Sequence, residues 1–288
     1  MSLDLNGRVA IVTGAGRGMG RDTALALARG GAHVVVNDYG GGASSVKAGS
    51  IQVAQAVVDE IVALGGKAIA EGSSVGTGES AQAIVDAAMA EFGRVDILVN
   101  NAGGNITTGV EDLSDERVEG ILRSNFVGGY MLLRKVWPIM RDSGFGRIVN
   151  VMSGSLLGLP GRAAYASGKA GYFGLTSVAA AEGEAYDIRV NGVWPTANTR
   201  LMAGIDDPEM IAMMERFPPH LVAEAVTYFC SPKCRATGEF FDVGGGRVAR
   251  IAIHDCEGFS DPELTAETLA VNIEQARDMT SSRPMGRS

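Results

Sequence analysis

The chain has 288 residues, of which 46% are hydrophobic, and a formal net charge of −8. This length suffices for one sizeable core, and the acidic balance gives a nucleic-acid partner no electrostatic support. No basic segment followed by an apolar core opens the sequence, and no apolar run reaches membrane-spanning length, so we expect neither a signal peptide nor a membrane partner. The three cysteines lack completing histidines, which predicts buried free thiols, no metal site and a reducing cytoplasm.

Apolar runs rich in β-branched residues alternate along the chain with segments of helical period. Several runs are apolar on both faces, as strands covered on both sides must be. The predicted strands are Arg8–Thr13, Ala32–Asn37, Ala68–Glu71, Val95–Asn100, Arg147–Met152 and Ile188–Val193. Predicted helices between them include Gly20–Arg29, Ile51–Leu64 and Ser80–Phe92. The alternation predicts an α/β fold, with a Rossmann-like doubly wound parallel sheet of about seven strands.

The last part of the chain, from about Arg247, falls outside this alternation. We expect residues 1–250 to form a single domain and residues 251–288 to form a tail that packs on it or on a neighbouring subunit. The run Ser260-Asp261-Pro262-Glu263 predicts a helix start, with a Ser-x-x-Glu capping box and Pro in the first turn. An apolar stripe of near-helical spacing follows, formed by Leu264, Leu269, Ile273, Ala276 and Met279.

The first predicted strand runs directly into a glycine-rich turn, Thr13–Gly20. Its spacing is GxxxGxG, and the missing side chains let a pyrophosphate approach the backbone and lie against a helix N-terminus. This strand–turn–helix context predicts a dinucleotide site. The predicted contacts are Gly14, Arg17, Gly18, Met19 and Gly20. A turn with a purely structural role is the alternative.

Asp38 directly follows the second predicted strand, about twenty residues after the turn, where dinucleotide-binding folds place an acid. Its carboxylate can accept hydrogen bonds from the ribose hydroxyls of an adenosine and would repel a 2′-phosphate, which favours NAD over NADP. Arg17 argues the other way, because a guanidinium beside the turn can pair with a phosphate. We expect NAD, since Arg17 can swing to solvent. The alternative for Asp38 is an acid that only caps a turn.

Tyr165 and Lys169 lie four residues apart, so on a helix they share one face. A nearby ammonium stabilises a tyrosinate. We therefore expect the pKa of Tyr165 to lie below its ordinary value, so that the phenol serves as acid and base near neutral pH. Ser153, twelve residues upstream at the end of a predicted strand, has a hydroxyl that can hold a substrate oxygen beside Tyr165.

Together, Thr13–Gly20, Asn100–Gly103, Ser153, Tyr165 and Lys169 resemble the short-chain dehydrogenase/reductase family over roughly residues 5–250. The resemblance implies a nicotinamide cofactor and hydride transfer between an alcohol and a carbonyl. It also implies that Asn125 anchors a water relay to the active-site Lys169. Further cofactor contacts are implied for Ser74, Val75, Asn101, Ala102, Gly103, Pro195 and Thr199.

The sequence departs from the family pattern in two places. Ser153 lies one residue closer to Tyr165 than the family's usual serine, so Ser155 is an alternative to it, although Ser153 follows the strand directly. The acid that the family often carries after the third strand is replaced by Ser73-Ser74-Val75, which predicts a weaker contact to the adenine.

A narrower likeness concerns the substrate. Val35–Gly41, Pro195–Pro219 and Gly238–Val248 resemble the (3R)-hydroxyacyl-CoA dehydrogenase units of multifunctional enzymes. This implies oxidation of a (3R)-hydroxyacyl-CoA with NAD, with a hydroxysteroid or another alicyclic alcohol as the next candidate. An NADP-dependent reductase of the ketoacyl type is one rival. A nucleotide-binding protein without turnover is another, and the complete Tyr, Lys, Ser and Asn set argues against it.

The expected pocket walls are Leu156–Arg162 and Thr196–Pro219, which are apolar and rich in Met (Met202, Met210, Met213 and Met214). Arginines near their ends can meet the phosphates of a CoA carrier, or can be solvated surface groups. These arginines are Arg162, Arg200 and Arg216.

Assembly is also implied by the family resemblance. The helix after the fourth strand (about Ser114–Arg141) and the helix that carries Tyr165 commonly pair between subunits in this family. We therefore expect a homodimer or homotetramer.

Overall fold

The computed structural model describes residues 3–41, 49–199 and 207–285. Within these ranges the main sheet has eight strands in the order β3-β2-β1-β4-β5-β6-β7-β8. They are β1 Val9–Thr13, β2 His33–Asn37, β3 Lys67–Glu71, β4 Ile97–Asn100, β5 Gly146–Val151, β6 Ile188–Pro195, β7 Phe240–Gly244 and β8 Arg247–Ile251. The first seven pair in parallel. The winding reverses between β1 and β4, which confirms the predicted doubly wound fold.

β8 is a strand that the sequence did not predict, because Arg247 onward was placed outside the alternation. It forms the sheet edge beyond β7, to which it is joined by Gly245 and Gly246. These glycines have φ values of 56° and 82°, as a two-residue hairpin requires. So short a connection makes β8 antiparallel to β7.

Helices cover both faces of the sheet. They are α1 Gly18–Arg29, α2 Gln52–Ala63, α3 Gly78–Phe92, α4 Asp115–Leu122, α5 Gly128–Ser143, α6 Ala163–Gly183, α7 Pro208–Met214 and α8 Pro219–Phe229. Side chains of α1, α2 and α8 form one buried cluster with alternate strand residues such as Val34 and Val36. Side chains of α3, α5 and α6 form a second cluster with the opposite set, including Val35. The two clusters explain why the predicted strands are apolar on both faces.

The helix expected over about Ser114–Arg141 is interrupted. A π-helical turn, Arg123–Val127, separates α4 from α5. Asn125 lies in this turn and is fully buried. π-turns inside helices are rare and frequently occur at functional sites, because the extra residue changes which side chains face inward.

Compactness divides the chain into Met1–Ala249 and Arg250–Ser288. The second unit contains α9 Ala266–Arg277 and an antiparallel pair, β9 His254–Asp255 with β10 Arg283–Pro284. How the tail packs on the domain or on a neighbouring subunit stays a prediction. In the parts of the chain that the structure describes, no helix combines the length and apolarity needed to cross a membrane.

The predicted start of the tail helix at Ser260–Glu263 is wrong. The helix begins after Thr265, whose side chain accepts from the Thr268 N–H while the Thr268 hydroxyl accepts from the Thr265 N–H. Asp261 instead accepts the Glu263 N–H within a turn. Both Ser260–Glu263 and Thr265–Thr268 have side chains that can cap a helix, and the reciprocal Thr265–Thr268 pair forms the cap of α9.

Candidate active site

A cavity of about 280 Å³ lies at the carboxyl end of the parallel strands, where residues following β1, β2, β4, β5 and β6 meet. This is the edge at which doubly wound sheets bind ligands. All the residues for which cofactor contacts were predicted line it. They are Gly14, Arg17, Gly18, Met19, Gly20, Asp38, Ser74, Val75, Asn101, Ala102, Gly103, Tyr165, Lys169, Pro195 and Thr199. Ser153 lines it as well, whereas Asn125 lies buried behind the lining.

Several lining residues were missed by sequence reasoning. They are Asn37, Tyr39, Gly41, Ser73, Ser124, Val151, Met152 and Ala197. Each lies within three residues of a predicted site residue, so the ends of the strands were the available signal.

The expected pocket walls contribute little to this lining. Arg162 lines the cavity, but Arg216 and the methionines of α7 do not. Arg200 and Met202 lie outside the described residues. In the described ranges, no group of three or more His, Cys, Asp or Glu side chains is arranged to hold a metal ion.

The glycine turn forms a bare backbone cradle. Gly14 has a φ of 62°, and a Cβ there would lie 2.9 Å from the Cα of Ala102. A Cβ on Gly20 would collide with the Gly14 carbonyl oxygen. Thr13 fixes the turn to the loop after β4, because its hydroxyl oxygen accepts the N–H groups of Asn101 (3.1 Å) and Ala102 (2.9 Å). The resulting strip of exposed backbone at the start of α1 suits a pyrophosphate.

Asp38 is held by backbone amides at the end of β2. One carboxylate oxygen accepts the Gly16 N–H at 2.8 Å and the other accepts the Gly40 N–H at 2.7 Å. Asp38 therefore both caps the turn and lines the cavity. A carboxylate has about four acceptor positions, so acceptor capacity remains for hydroxyl donors in the cavity.

Glu71, at the end of β3, braces the segment that was expected to meet an adenine. Its carboxylate accepts the Asn37 side-chain amide at 2.6 Å and the Ser73 N–H at 3.0 Å. The same amide donates to the Ser73 carbonyl at 2.9 Å. An acid at the strand end thus holds Ser73 in place, although Ser73-Ser74-Val75 replaces the family's usual acid.

Tyr165 and Ser153 both line the cavity, and the Ser153 side chain lies close enough to act on the pKa of Tyr165. Ser153 follows β5 and begins a short 3₁₀ turn, Gly154–Leu157. Its oxygen accepts the Ser155 N–H at 3.2 Å and lies 3.1 Å from the Ser155 hydroxyl. Ser155 is buried and outside the lining. Of the two serines, Ser153 therefore has the hydroxyl that reaches both Tyr165 and the cavity.

The expectation that Lys169 lowers the pKa of Tyr165 is wrong for this geometry. Burial raises the pKa of Tyr165 above its ordinary value, and the hydrogen bond from Ser153 and the charge of Arg162 only partly oppose this. Lys169 is itself fully enclosed, and burial lowers its pKa to about 7. Its Nζ donates to the Val151 carbonyl at 2.8 Å and lies 6.0 Å from the centre of the Tyr165 ring. Because burial disfavours the ammonium form of Lys169, it limits the charge that Lys169 offers a tyrosinate.

Asn125 has a free hydrogen-bond acceptor close to Lys169. Its amide nitrogen donates to the carbonyls of Gly104 (2.8 Å) and Ile121 (2.9 Å). Its Oδ1 is buried and has no hydrogen-bond partner among the described residues. A Cβ on Gly103 would collide with this oxygen and lie 3.3 Å from Lys169 Nζ. A buried, unpartnered acceptor near an ammonium suits a bridging water.

These features fit a nicotinamide dinucleotide. The backbone cradle of the glycine turn suits the pyrophosphate, the Asp38 carboxylate suits ribose hydroxyls, and Tyr165 and Lys169 lie at the far end of the same cavity. Ala102 and Gly103 line the cavity between these ends.

Known proteins resemble the chain in sequence and in fold. A short-chain type dehydrogenase/reductase of Mycobacterium tuberculosis is 38% identical over 281 residues, 97% of each chain. The peroxisomal multifunctional enzyme A of Dictyostelium discoideum is 38% identical over 283 residues, 96% of this chain and 61% of the enzyme. The full-length peroxisomal multifunctional enzyme type 2 of Drosophila melanogaster has a solved structure with a TM-score of 0.79 and 27% identity. The match covers 98% of this chain and 47% of that one.

The likeness to multifunctional enzymes is therefore confirmed, and the chain spans only about half to two thirds of the length of those two. The family model for short chain dehydrogenases matches residues 8–209. Its members are oxidoreductases that act on CH–OH groups with a nicotinamide dinucleotide. The chain belongs to the short-chain dehydrogenase/reductase family.

Proposed function

We propose that the protein is an NAD-dependent dehydrogenase that oxidises the secondary alcohol of a (3R)-hydroxyacyl-CoA to the ketone. One observation carries the proposal. Ser153, Tyr165 and Lys169 line one end of the cavity that has the glycine turn and Asp38 at the other, with Asn125 directly behind. Binding of a cofactor alone would not require this hydroxyl, phenol and ammonium set.

Each of these side chains has one task in the proposed reaction. Ser153 donates a hydrogen bond to the substrate oxygen, and the Tyr165 phenolate accepts the hydroxyl proton of the alcohol. Lys169 and a water held by the free Asn125 Oδ1 then pass that proton towards solvent. A bound nicotinamide would supply the acceptor for the hydride that leaves the alcohol carbon. In the reverse direction, the Tyr165 phenol returns the proton to the ketone oxygen.

The preference for NAD rests on Asp38. Its carboxylate is fixed by two backbone N–H groups, so it cannot turn away from the cavity at little cost. A 2′-phosphate there would meet a like charge, whereas ribose hydroxyls would meet an acceptor. Arg17 lines the same end and is exposed, which favours the NADP-dependent ketoacyl-type reductase as the second candidate.

The substrate class rests on the extent of the likeness to multifunctional enzymes and on the position of Arg162 in the cavity lining. A guanidinium at the rim of an apolar pocket can bind a carrier phosphate. Hydroxysteroids and alicyclic alcohols are the alternative substrates, since they need no such contact.

A substrate panel tests the proposal. Purified protein is mixed with NAD or NADP and with a (3R)-3-hydroxyacyl-CoA, the corresponding free hydroxy acid, a hydroxysteroid and a simple cyclic alcohol, and reduction of the nicotinamide is followed by absorbance. We expect the highest kcat/KM with NAD and the CoA thioester, with a KM that rises as added salt screens the arginine. Equal efficiency for the thioester and the free alcohol would reject the CoA carrier, and faster reduction of NADP would reject the cofactor assignment.

We also propose that the protein is a cytoplasmic homodimer or homotetramer. Tyr130 of α5 and Val178 of α6 are 45% and 57% exposed, so both helices carry apolar surface that a second copy can bury. Light scattering at micromolar concentration is expected to give two or four times the chain mass of 29.9 kDa. A monomer would contradict the assembly.

A further inference from the structure

Arg162 is a cation in the cavity lining that the family motifs do not assign. It occupies the N-cap position of α6, three residues before Tyr165. The preceding Gly161 has a φ of 77°, and its carbonyl accepts the Thr108 N–H at 3.0 Å. The Arg162 carbonyl accepts the Ala166 N–H at 2.8 Å. The backbone on both sides of Arg162 is therefore fixed, which directs the half-buried side chain into the cavity.

The position of Arg162 is not explained by stabilisation of the fold. A cation at a helix N-terminus opposes the helix dipole, which favours acidic groups there. In the ranges that the structure describes, no carboxylate lies within ion-pair distance of Arg162, whereas eleven other arginines have such a partner. The Arg162 charge is thus free to act on groups inside the cavity.

The surroundings of Tyr165 hold few other charges. From α6 the only cation that faces it is Lys169, from α4 it meets the apolar Ile121, and from the turn after β5 it meets Ser153. The remaining ionisable side chains of the described lining, Arg17, Asp38 and Tyr39, belong to the glycine turn and the end of β2. The charge of Arg162 acts on Tyr165 and opposes the effect of burial, whereas Lys169 is largely desolvated.

We infer that Arg162 adds positive charge that stabilises the phenolate of Tyr165, beside the Lys169 ammonium to which the family pattern gives this task. Arg162 is a positioning residue in this proposal, because it acts on the reaction through Tyr165. The inference rests on the proposed dehydrogenase activity, and it concerns this chain in particular, since the guanidinium lies outside the Tyr-x-x-x-Lys pair.

The test compares Arg162→Gln and Arg162→Lys with the unchanged protein over a range of pH. The substrate is an uncharged cyclic alcohol, so that loss of a contact to a phosphate plays no part. Removing the charge disfavours the phenolate, so the rise of kcat/KM with pH should move to higher pH in Arg162→Gln. We expect a loss of about three- to tenfold at pH 7 that narrows as Tyr165 ionises at high pH, with most of the rate restored by Arg162→Lys. Arg216→Gln, an equal charge change outside the cavity lining, should leave the profile in place.

A second measurement needs no turnover. The ultraviolet difference between the protein and its Tyr165→Phe variant reports the ionisation of Tyr165, and it is titrated with Arg162 intact and with Arg162→Gln. The midpoint of the Tyr165 titration should lie at higher pH in the pair of proteins that carries Arg162→Gln. An unmoved titration, or a loss confined to the KM of a CoA thioester, would overturn the inference and leave Arg162 as a substrate contact. If the unchanged protein oxidises no alcohol, the proposed function fails, and the titration still decides the role of Arg162.

Discussion

The parallel strands of the main sheet begin at one edge, the amino edge, and end at the other, the carboxyl edge, and polar groups are arranged in opposite ways at the two. At the amino edge, Asp96 is 1% exposed and its carboxylate accepts from Arg8 at 2.8 Å, from Arg94 at 2.7 and 2.6 Å, and from the Val9 N–H at 2.9 Å. At the carboxyl edge, the Asn125 Oδ1 is buried without a partner among the described residues, and Arg162 has no carboxylate beside it there.

Arg147 shows the same pattern as Asp96. It is 2% exposed and donates to the carbonyls of Gly146 (2.7 Å), Asp187 (2.7 Å) and Ser231 (3.3 Å), and to the Asp187 carboxylate at 3.2 Å. Burial lowers its pKa, and the Asp187 carboxylate opposes that change. A buried charge that makes four hydrogen bonds within the protein contributes to the fold, whereas polar groups left with free capacity at the other edge are available to a ligand.

Tyr165→Phe should have the largest effect and should act on one edge alone. It removes the hydroxyl that transfers the proton, so we expect turnover to fall by about 10²–10⁴-fold while NADH binding and thermal stability stay nearly unchanged. Tyr186→Phe, at a 40% exposed tyrosine outside the cavity lining, is the matched control. Retention of more than a small fraction of the rate would show that another group is the acid and base.

Asp96→Ala should do the reverse. It leaves Arg8 and Arg94 without their buried partner, so we expect the free energy of unfolding to fall by about 3–5 kcal/mol, with kcat of the folded protein preserved. Denaturant titration measures the loss. Asp142→Ala breaks a pair with Arg141 at the surface and should cost at most about 1 kcal/mol. Similar losses in the two variants would remove the distinction between the edges.

Lys169 should give the cavity edge a recognisable dependence of stability on pH. Its pKa is near 10.5 when unfolded and about 7 when folded, so between these values the unfolded chain binds more protons. The free energy of unfolding of the unchanged protein should therefore rise, relative to Lys169→Met, by up to about 1.4 kcal/mol per unit as pH increases from 7 to 9. Denaturant titrations at three pH values measure this. If the difference in free energy of unfolding between the two proteins does not change with pH, the Lys169 ammonium is solvated in the folded protein.

Asp38→Ala should have the smallest of these effects. Loss of the carboxylate removes a hydrogen-bond acceptor for ribose and a repulsion for phosphate, so we expect the ratio of NADPH to NADH dissociation constants to shrink by about tenfold. Asp59→Ala, at an exposed position on α2, is the control. An unchanged ratio would mean that Asp38 only caps the turn through Gly16 and Gly40.

The sequence predicted those features that follow from local pattern. The glycine turn, Asp38 and the Tyr165–Lys169 pair sit at the ends of strongly apolar strands or on one helix face, and their position follows once the parallel sheet is predicted. The start of the tail helix was wrong because two capping signals lie five residues apart and both are used, one in a turn and one in a helix.

Other features depend on contacts between segments that are distant in the sequence, so they could not be predicted from local pattern. The brace of Glu71 on Asn37 and Ser73 requires β2 and β3 to be in register. The direction of the Tyr165 pKa depends on how deeply α6 buries the phenol, and spacing along a helix cannot reveal that depth. The same spacing therefore suggested that Lys169 lowers this pKa, whereas burial of both groups reverses the result.

Direct binding of NADH and NADPH, followed by the fluorescence of the reduced nicotinamide, tests most directly whether the carboxyl edge is a cofactor site that prefers NAD. We predict saturable binding of one NADH per chain, with a lower dissociation constant than that of NADPH, both in the unchanged protein and in Tyr165→Phe. Tighter binding of NADPH, or no saturable binding of either dinucleotide, would contradict it.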